Sequence, residues 1–194
     1  MDSLPFTREQ ARELVKKYNS DRGDLHHYLE SEAVMRGLAR HLGENEDYWG
    51  MLGLVHDIDW GLTKHDSKLH LTKAPTILRE AGFSESFITT IISHGYGFDC
   101  AGLLNKKRTS TIERALAAAE TVTGLVHAYA LMRKSIAGME VAGLKKKFKD
   151  KKFASGVRRE IIEECSQIGV DLDTFLKIAI ESIASISKEV GLND

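Results

Sequence analysis

Apolar residues recur along most of this chain at intervals of three and four positions, the repeat expected of helices that bury one face. Only two prolines, Pro5 and Pro75, interrupt the pattern, and proline is the residue that most strongly opposes a helix interior. The long segments with this periodicity therefore predict an all-α protein.

Capping residues and glycines predict where the first helices begin and end. Residues 7–10, Thr-Arg-Glu-Gln, form a capping-box pattern that starts a first helix ending near Asn19. Asp24 is the expected N-cap of a second helix, which Gly43 ends. A third helix is expected from near Asn45 to a His-Asp doublet described below.

A loop over residues 61–67 separates this helix from a fourth, which ends at Gly82. Pro75 lies within the fourth segment, so the helix either starts close to Thr72 or is kinked at the proline. A proline in the first turn loses no hydrogen bond, because the N–H groups there have no partner in the helix.

Ser84 is the expected N-cap of a fifth helix, which ends at His94. The remaining expectations are an irregular loop over 95–107, a long helix capped by Thr109 or Ser110, a short helix and a lysine-rich stretch beyond Ser135, a helix ending before Gly169, and a last helix from about Asp173 to Val190.

Length and composition predict one domain over residues 1–194, with a core over about 20–135 and C-terminal helices over about 136–194 packed on it. The net charge of -1 argues against general attraction to nucleic acid or membrane. The two cysteines are expected to be reduced thiols. With no signal-like N-terminus and no apolar run near the roughly 20 residues of a membrane span, a cytoplasmic location is expected.

The segment 53–60, Gly-Leu-Val-His-Asp-Ile-Asp-Trp, brings His56 and Asp57 to the end of the third helix. Adjacent helical residues diverge by about 100°, so this pair converges only from a helix end or on a shared object. A metal ion suits both side chains, because imidazole and carboxylate are ordinary ligands of divalent transition metals. The other candidate ligands are His27, His70, His94 and Glu120.

Glu120 lies among alanines and other apolar residues of the long helix, where a carboxylate is seldom buried unless it is paired or bound to a metal. His26 could replace its neighbour His27 on spacing alone. The other histidines, His41, His65 and His127, are expected to be structural or exposed.

These residues resemble the pattern of the HD-domain superfamily of metal-dependent phosphohydrolases. That pattern has a histidine on one helix, a His-Asp doublet at the end of the next, and a later aspartate in a long helix. The flanking segments are also similar, namely EAVMR at 32–36, GLVHDID at 53–59, TGLV at 123–126 and FKDKKF at 148–153. The chain resembles the small HD hydrolases of bacteria and archaea.

The resemblance implies one or two divalent metal ions (iron, manganese, cobalt, nickel or zinc). In the two-metal form, Asp57 bridges the ions. His27, His56 and the last acid complete one ligand set, and His70 with His94 completes the other. The family has aspartate where this chain has Glu120, whose extra methylene moves the carboxylate by roughly one C–C bond length. Either the helix lies farther back, the carboxylate binds differently, or this position is not a ligand.

Asp57 and Asp59 are the candidate catalytic residues. Asp59 could donate a proton or orient a histidine, although a carboxylate near a helix end is often simply solvated. The segment 95–98 beside His94 is either a lid, whose aromatic residues could stack on a base, or a plain loop. A basic cluster in the C-terminal part of the chain could attract a phosphorylated substrate, although a solvated helix face is the favoured interpretation. The cluster consists of Lys145, Lys146, Lys147, Lys149, Lys151, Lys152, Arg158 and Arg159.

The resulting expectation is a hydrolase that cleaves a phosphate ester of a nucleotide or of a related small phosphorylated metabolite, through a water activated by the metal. Two alternatives stay open: a di-iron oxygenase with a similar ligand pattern, and a metal-binding regulatory module in which Glu120 has reduced catalysis. Neither a nucleic acid nor a membrane is an expected partner. The oligomeric state does not follow from the sequence.

Overall fold

The computed structural model describes residues 3–192 as ten α-helices joined by turns and short 3-10 segments, with no strand among those residues. The all-α prediction is therefore confirmed. The helices are α1 (Arg8–Tyr18), α2 (Arg22–Leu42), α3 (Glu46–Val55), α4 (Trp60–Thr63), α5 (Ala74–Glu80), α6 (Glu85–Ser93), α7 (Thr111–Arg133), α8 (Val141–Lys149), α9 (Arg159–Ile162) and α10 (Leu172–Ser185).

Helix α2 lies at the centre of the bundle, where it packs against α3, α7 and α10. It approaches α3 closely at Gly53, where an added Cβ would lie only 2.5 Å from the carbonyl oxygen of Ser31. Because glycine has no side chain, the two backbones can approach this closely. The contact brings the C-terminal end of α3 beside the first turns of α2, where His27 lies.

Helix α7 is the longest element, and its Ala-rich middle is fully buried against the neighbouring helices. By length and composition, α7 is the one described helix that could cross a membrane. However, 56% of its apolar 18-residue stretch is buried inside the fold. The central helix of a bundle passes the same criterion.

Several predicted boundaries are confirmed by the capping contacts. Thr7 and Gln10 form the expected capping box of α1, and Ser110 forms another with Glu113 at the start of α7. Gly43 ends α2 with a φ of 72°, the left-handed conformation that favours glycine.

Other boundaries differ from the predictions. The N-cap of α2 is Asp21, whose side chain accepts a hydrogen bond from the backbone N–H of Asp24, so the prediction of Asp24 as the cap was wrong. The loop predicted over 61–67 begins inside α4. Pro75 lies in the first turn of α5, which excludes a kink in the middle of the helix.

The C-terminal third also differs in detail. Four lysines of the predicted basic cluster lie within α8. This helix is held in the bundle by its apolar face, since Leu144 and Phe148 are buried in the core. A 3-10 segment, Glu163–Ile168, follows α9, and α10 ends at Ser185 instead of near Val190. Helix α10 packs on α2, α7 and α8, which joins this part of the chain to the rest of the bundle.

Candidate metal centre

The first group of ligand-type side chains joins α2 to the end of α3. His27 lies in the second turn of α2, and His56 is the first residue beyond α3. The close packing of these helices brings the Nε2 atoms of the two rings to 3.1 Å from each other. His56 is almost fully buried, whereas 30% of the His27 side chain is exposed.

The second group joins the segment before α5 to the end of α6. His70 follows a short 3-10 turn, and His94 is the first residue beyond α6. Their Nε2 atoms also lie 3.1 Å apart. Both side chains are largely buried, with 14% of His70 and 7% of His94 exposed.

Asp57 lies between the two histidine pairs and turns one carboxylate oxygen toward each. Its Oδ2 is 3.9 Å from His27 Nε2 and 3.5 Å from His56 Nε2. Its Oδ1 is 3.3 Å from His70 Nε2 and 3.1 Å from His94 Nε2. Within each group of three residues, the donor atoms all lie within 4.8 Å of one another, so each group could hold a metal ion.

The rings of His56 and His94 are held by the helices that precede them. His56 Nδ1 lies 2.9 Å from the carbonyl oxygen of Gly53, and His94 Nδ1 lies 2.7 Å from that of Ile91. A carbonyl only accepts hydrogen bonds, so each Nδ1 carries the proton. In the neutral rings, each Nε2 therefore presents a lone pair to the centre of the site.

His27 is held in the same way by a residue of α7. Its Nδ1 lies 2.9 Å from Thr123 Oγ1, and the Thr123 hydroxyl donates its own proton to the carbonyl oxygen of Glu120. The hydroxyl oxygen thus accepts from the ring, which leaves His27 Nε2 as a further lone pair. Sequence reasoning did not find this role of Thr123, although the residue lies one turn after Glu120 on a predicted helix.

Burial and the mutual interactions of these groups set their protonation. Burial lowers the pKa of His56 to about 3, so its ring is neutral at physiological pH. Burial alone would raise the pKa of Asp57, but the neighbouring rings of His56, His70 and His94 outweigh it and hold the pKa well below its usual range. For His94, burial is opposed by the nearby Asp57 carboxylate, and the net pKa is raised.

This donor set fits divalent transition metals. Lone pairs of facing imidazoles repel each other at 3.1 Å unless a proton or a cation lies between them. The buried Asp57 Oδ1 accepts no hydrogen bond from the described residues. Buried polar atoms are seldom left without a partner, and imidazole with carboxylate suits iron, manganese, cobalt, nickel and zinc.

Asp59 is fully buried, and its carboxylate accepts three hydrogen bonds from the backbone. The donors are the N–H groups of Leu71, Lys73 and Ala74, at 3.2, 2.9 and 3.1 Å. Its Oδ1 also lies 3.5 Å from His70 Nδ1. These contacts favour the predicted orienting role over that of a proton donor, because the carboxylate holds the start of α5 and the His70 ring and has no exposed surface.

Glu120 lies beside the two groups, but its carboxylate is not among the converging donor atoms. The carboxylate accepts a hydrogen bond from Thr121 Oγ1 at 2.6 Å, and burial raises its pKa. Its role as a metal ligand stays a prediction.

Two cavities border the metal-ligand residues and share Phe98 and Glu120 as walls. The larger has a volume of about 370 Å³, with Trp60 and Phe98 among its lining residues. The smaller, about 300 Å³, lies on the His27 side. The segment 95–98 thus borders both cavities, and its movement as a lid stays a prediction.

The other histidines and the basic cluster are not among the converging donor atoms. His26 lines a separate cavity, so its neighbour His27 is the one that the fold brings to the site. His41 and His65 are exposed, and His127 pairs with the buried Glu30 at 2.5 Å. In the basic cluster, Lys145 pairs with Asp173 and Arg159 turns toward backbone carbonyls, whereas Arg158 lines the smaller cavity.

Comparison with known proteins gives one match. The model of a family described as "HD domain" matches residues 24–124, just over half of the chain. This region includes every candidate ligand from His27 to Glu120. No curated protein and no solved structure matches the chain.

Proposed function

The chain belongs to the HD domain family, and on that premise we propose that it is a metal-dependent phosphohydrolase acting on phosphate esters of small molecules. The observation that carries the proposal is the position of Asp57 between two histidine pairs. One carboxylate shared by two groups of ligands is the arrangement expected of a two-metal site, and such sites serve phosphoryl transfer in many enzymes.

In this proposal the protein supplies ligand atoms that are already oriented and in the protonation state that a metal requires. Three of the four histidines are held by hydrogen bonds at Nδ1, and the Asp57 carboxylate stays ionised at neutral pH. When bound, divalent ions would supply a nucleophilic water near neutral pH and stabilise charge on the phosphoryl oxygens.

Glu120 is the better candidate for handling the proton of the leaving group. Asp59 is fully buried with its oxygens already accepting backbone hydrogen bonds, so it has no surface with which to contact a substrate. Glu120 borders both cavities, and burial raises its pKa toward the range in which a carboxyl can hold and release a proton. Its position supports a role as a general acid.

The cavity dimensions support a small substrate. About 370 Å³ lies within the range of pockets for small ligands, and two aromatic side chains, Trp60 and Phe98, line it. Aromatic rings provide surfaces on which a base or another planar group can stack. A nucleotide is therefore one suitable substrate class. The cytoplasmic location and the absence of nucleic-acid and membrane partners stay predictions.

A phosphate-ester screen of the purified protein tests the proposal, with metal content measured on the same sample. We expect hydrolysis that depends on divalent metal and that is abolished by Asp57→Ala. His41→Ala is the matched control, because His41 is an exposed histidine outside the site. Full activity in Asp57→Ala would contradict the proposal.

The same sample distinguishes the two alternatives. Oxygen consumption together with a visible absorption band from bound iron, without ester hydrolysis, would favour a di-iron oxygenase. Protein that retains metal but cleaves no ester and consumes no oxygen would favour a regulatory module.

A further inference from the structure

A loop from the C-terminal part of the chain forms one wall of the smaller cavity. Gly156, Val157 and Arg158 of this loop line the cavity together with residues of α2 and α7, namely His27, Glu120 and Thr121. The loop, residues 150–158, lies outside residues 24–124, the region that the family model matches.

Arg159 fixes the conformation of this loop from within. Its Nη1 donates to the carbonyl oxygens of Ala154 and Val157, each at 2.6 Å. Its Nη2 donates to the carbonyl oxygen of Phe153. Hydrogen bonds from a charged guanidinium are about twice as strong as those between neutral groups, so these contacts hold the loop together.

The loop is also packed directly onto α7 beside the site. An added Cβ at Gly124 would lie 3.1 Å from Val157 Cγ2, and Gly124 is one turn beyond Glu120. The absence of a side chain at Gly124 therefore allows the loop to approach α7 closely. Arg158 follows Val157 and also lines the cavity.

The guanidinium of Arg158 lies over the ring of Phe98, with its Cζ 4.6 Å from the ring centroid. Its Nε donates to Glu160 at 2.7 Å, while its two terminal nitrogens have no partner among residues 3–192. The side chain is 43% exposed. Stacking on an aromatic ring restrains the guanidinium and leaves its terminal N–H groups free to bind a ligand.

The described residues that line the two cavities carry more negative than positive charge. Of the described residues that line them, Asp57, Asp99 and Glu120 are acidic, and Arg158 is the one arginine or lysine. An anionic substrate must approach this acidic surface, and a guanidinium is suited to binding two oxygens of one phosphoryl group.

We propose that Arg158 binds the phosphoryl group of the substrate and thereby favours phosphate monoesters over diesters. This inference rests on the proposed function. A monoester carries more negative charge and one more free oxygen than a diester, so it gains more from a guanidinium that lines the cavity. Arg158 would then be a specificity residue supplied by the C-terminal loop.

The test compares the wild type with Arg158→Gln and Arg158→Lys. Hydrolysis of p-nitrophenyl phosphate and of bis(p-nitrophenyl) phosphate gives KM and kcat for a monoester and a diester, and calorimetry gives the Kd of inorganic phosphate. We expect Arg158→Gln to raise the monoester KM and the phosphate Kd about tenfold or more, since one charge-assisted contact is lost. The diester KM should change less, and Arg158→Lys should lie between.

Arg79→Gln is the matched control, because Arg79 is an exposed arginine that also pairs with a glutamate, Glu85, and lines neither cavity. Arg79→Gln should leave KM, kcat and the Kd of phosphate unchanged. If the wild type hydrolyses esters but Arg158→Gln binds phosphate as the wild type does, this inference fails and the proposed function stands. If no ester is cleaved but phosphate binding depends on Arg158, the proposed function fails and the binding role stands. If the wild type neither cleaves esters nor binds phosphate, both fail.

Discussion

His27 Nε2 lies 3.1 Å from His56 Nε2, although each ring already uses its Nδ1 for a hydrogen bond to the protein. Two neutral imidazoles arranged in this way present lone pairs to each other, and no hydrogen bond can form between lone pairs. His70 and His94 face each other at the same distance, with the Asp57 carboxylate between the pairs. A cation bound between His27 and His56 removes the repulsion there. Asp57 with His70 and His94 offers a second set of converging donor atoms, so the arrangement is interpreted as a two-metal site.

Removing one histidine should remove one ion. We expect His94→Ala to lower the metal content from about two to about one ion per chain, because the His27 and His56 pair is left intact. Elemental analysis of the purified variant beside His41→Ala measures this. An unchanged metal content would show that His94 is not a ligand.

Acid should release the ion at His70 and His94 first. Burial lowers the pKa of His56 to about 3, so protons do not compete with a metal for this ring above that pH. For His94, the Asp57 carboxylate outweighs burial and raises the pKa above its ordinary value of 6.5. As the pH falls below that raised pKa, protonation removes the lone pair that a metal needs.

Dialysis from about pH 8 to about pH 5, followed by elemental analysis, checks this order, since the interval spans histidine titration. One ion should be lost before the other. Simultaneous loss of both ions, or a metal content that does not change with pH, would contradict this order of release.

Asp59→Asn should weaken both the fold and the second ligand group. The neutral amide loses the charge that strengthens three buried backbone hydrogen bonds, so we expect the free energy of unfolding to fall by about 1–3 kcal/mol. Loss of the carboxylate beside His70 Nδ1 should lower metal affinity about 10- to 100-fold. Urea unfolding and metal titration measure the two effects.

A proton donor at Asp59 would give a different result for the same variant. In that case, Asp59→Asn would retain full metal affinity and lose kcat alone.

Glu120→Gln should keep about two ions per chain and lose turnover. The donor atoms of the two groups converge without the Glu120 carboxylate, whereas the amide can no longer hold and release a proton. We expect kcat to fall about 100-fold or more, with Glu120→Asp as a control that keeps the carboxyl. Loss of an ion in Glu120→Gln would instead make Glu120 a ligand, as the family resemblance implies.

Helix identity and the positions of several candidate ligands at helix ends could be predicted from the sequence because their signals are local. The capping boxes at Thr7 and Ser110 form within one turn, and His56 and His94 lie at helix ends that apolar periodicity predicts. The error at the start of α2 is also local: the first turn of the helix tolerates Gly23, so the cap lies at Asp21 and not at Asp24.

Contacts between distant segments could not be predicted in this way. The division of the Asp57 oxygens between two histidine pairs depends on the close packing of α2 and α3 at Gly53. The approach of Arg158 to Phe98 depends on a loop 60 residues farther along the chain and on the hydrogen bonds that Arg159 donates. Burial of Asp59 likewise follows from the backbone N–H groups that surround it, which no sequence pattern specifies.

The most direct test of the two-metal site is the metal content of Asp57→Ala. Asp57 is the one residue common to both ligand groups among the described residues. The two-metal account predicts about two ions per chain in the wild type and fewer than one in Asp57→Ala, with the helical circular dichroism unchanged. Retention of one or more ions by the folded variant would contradict it.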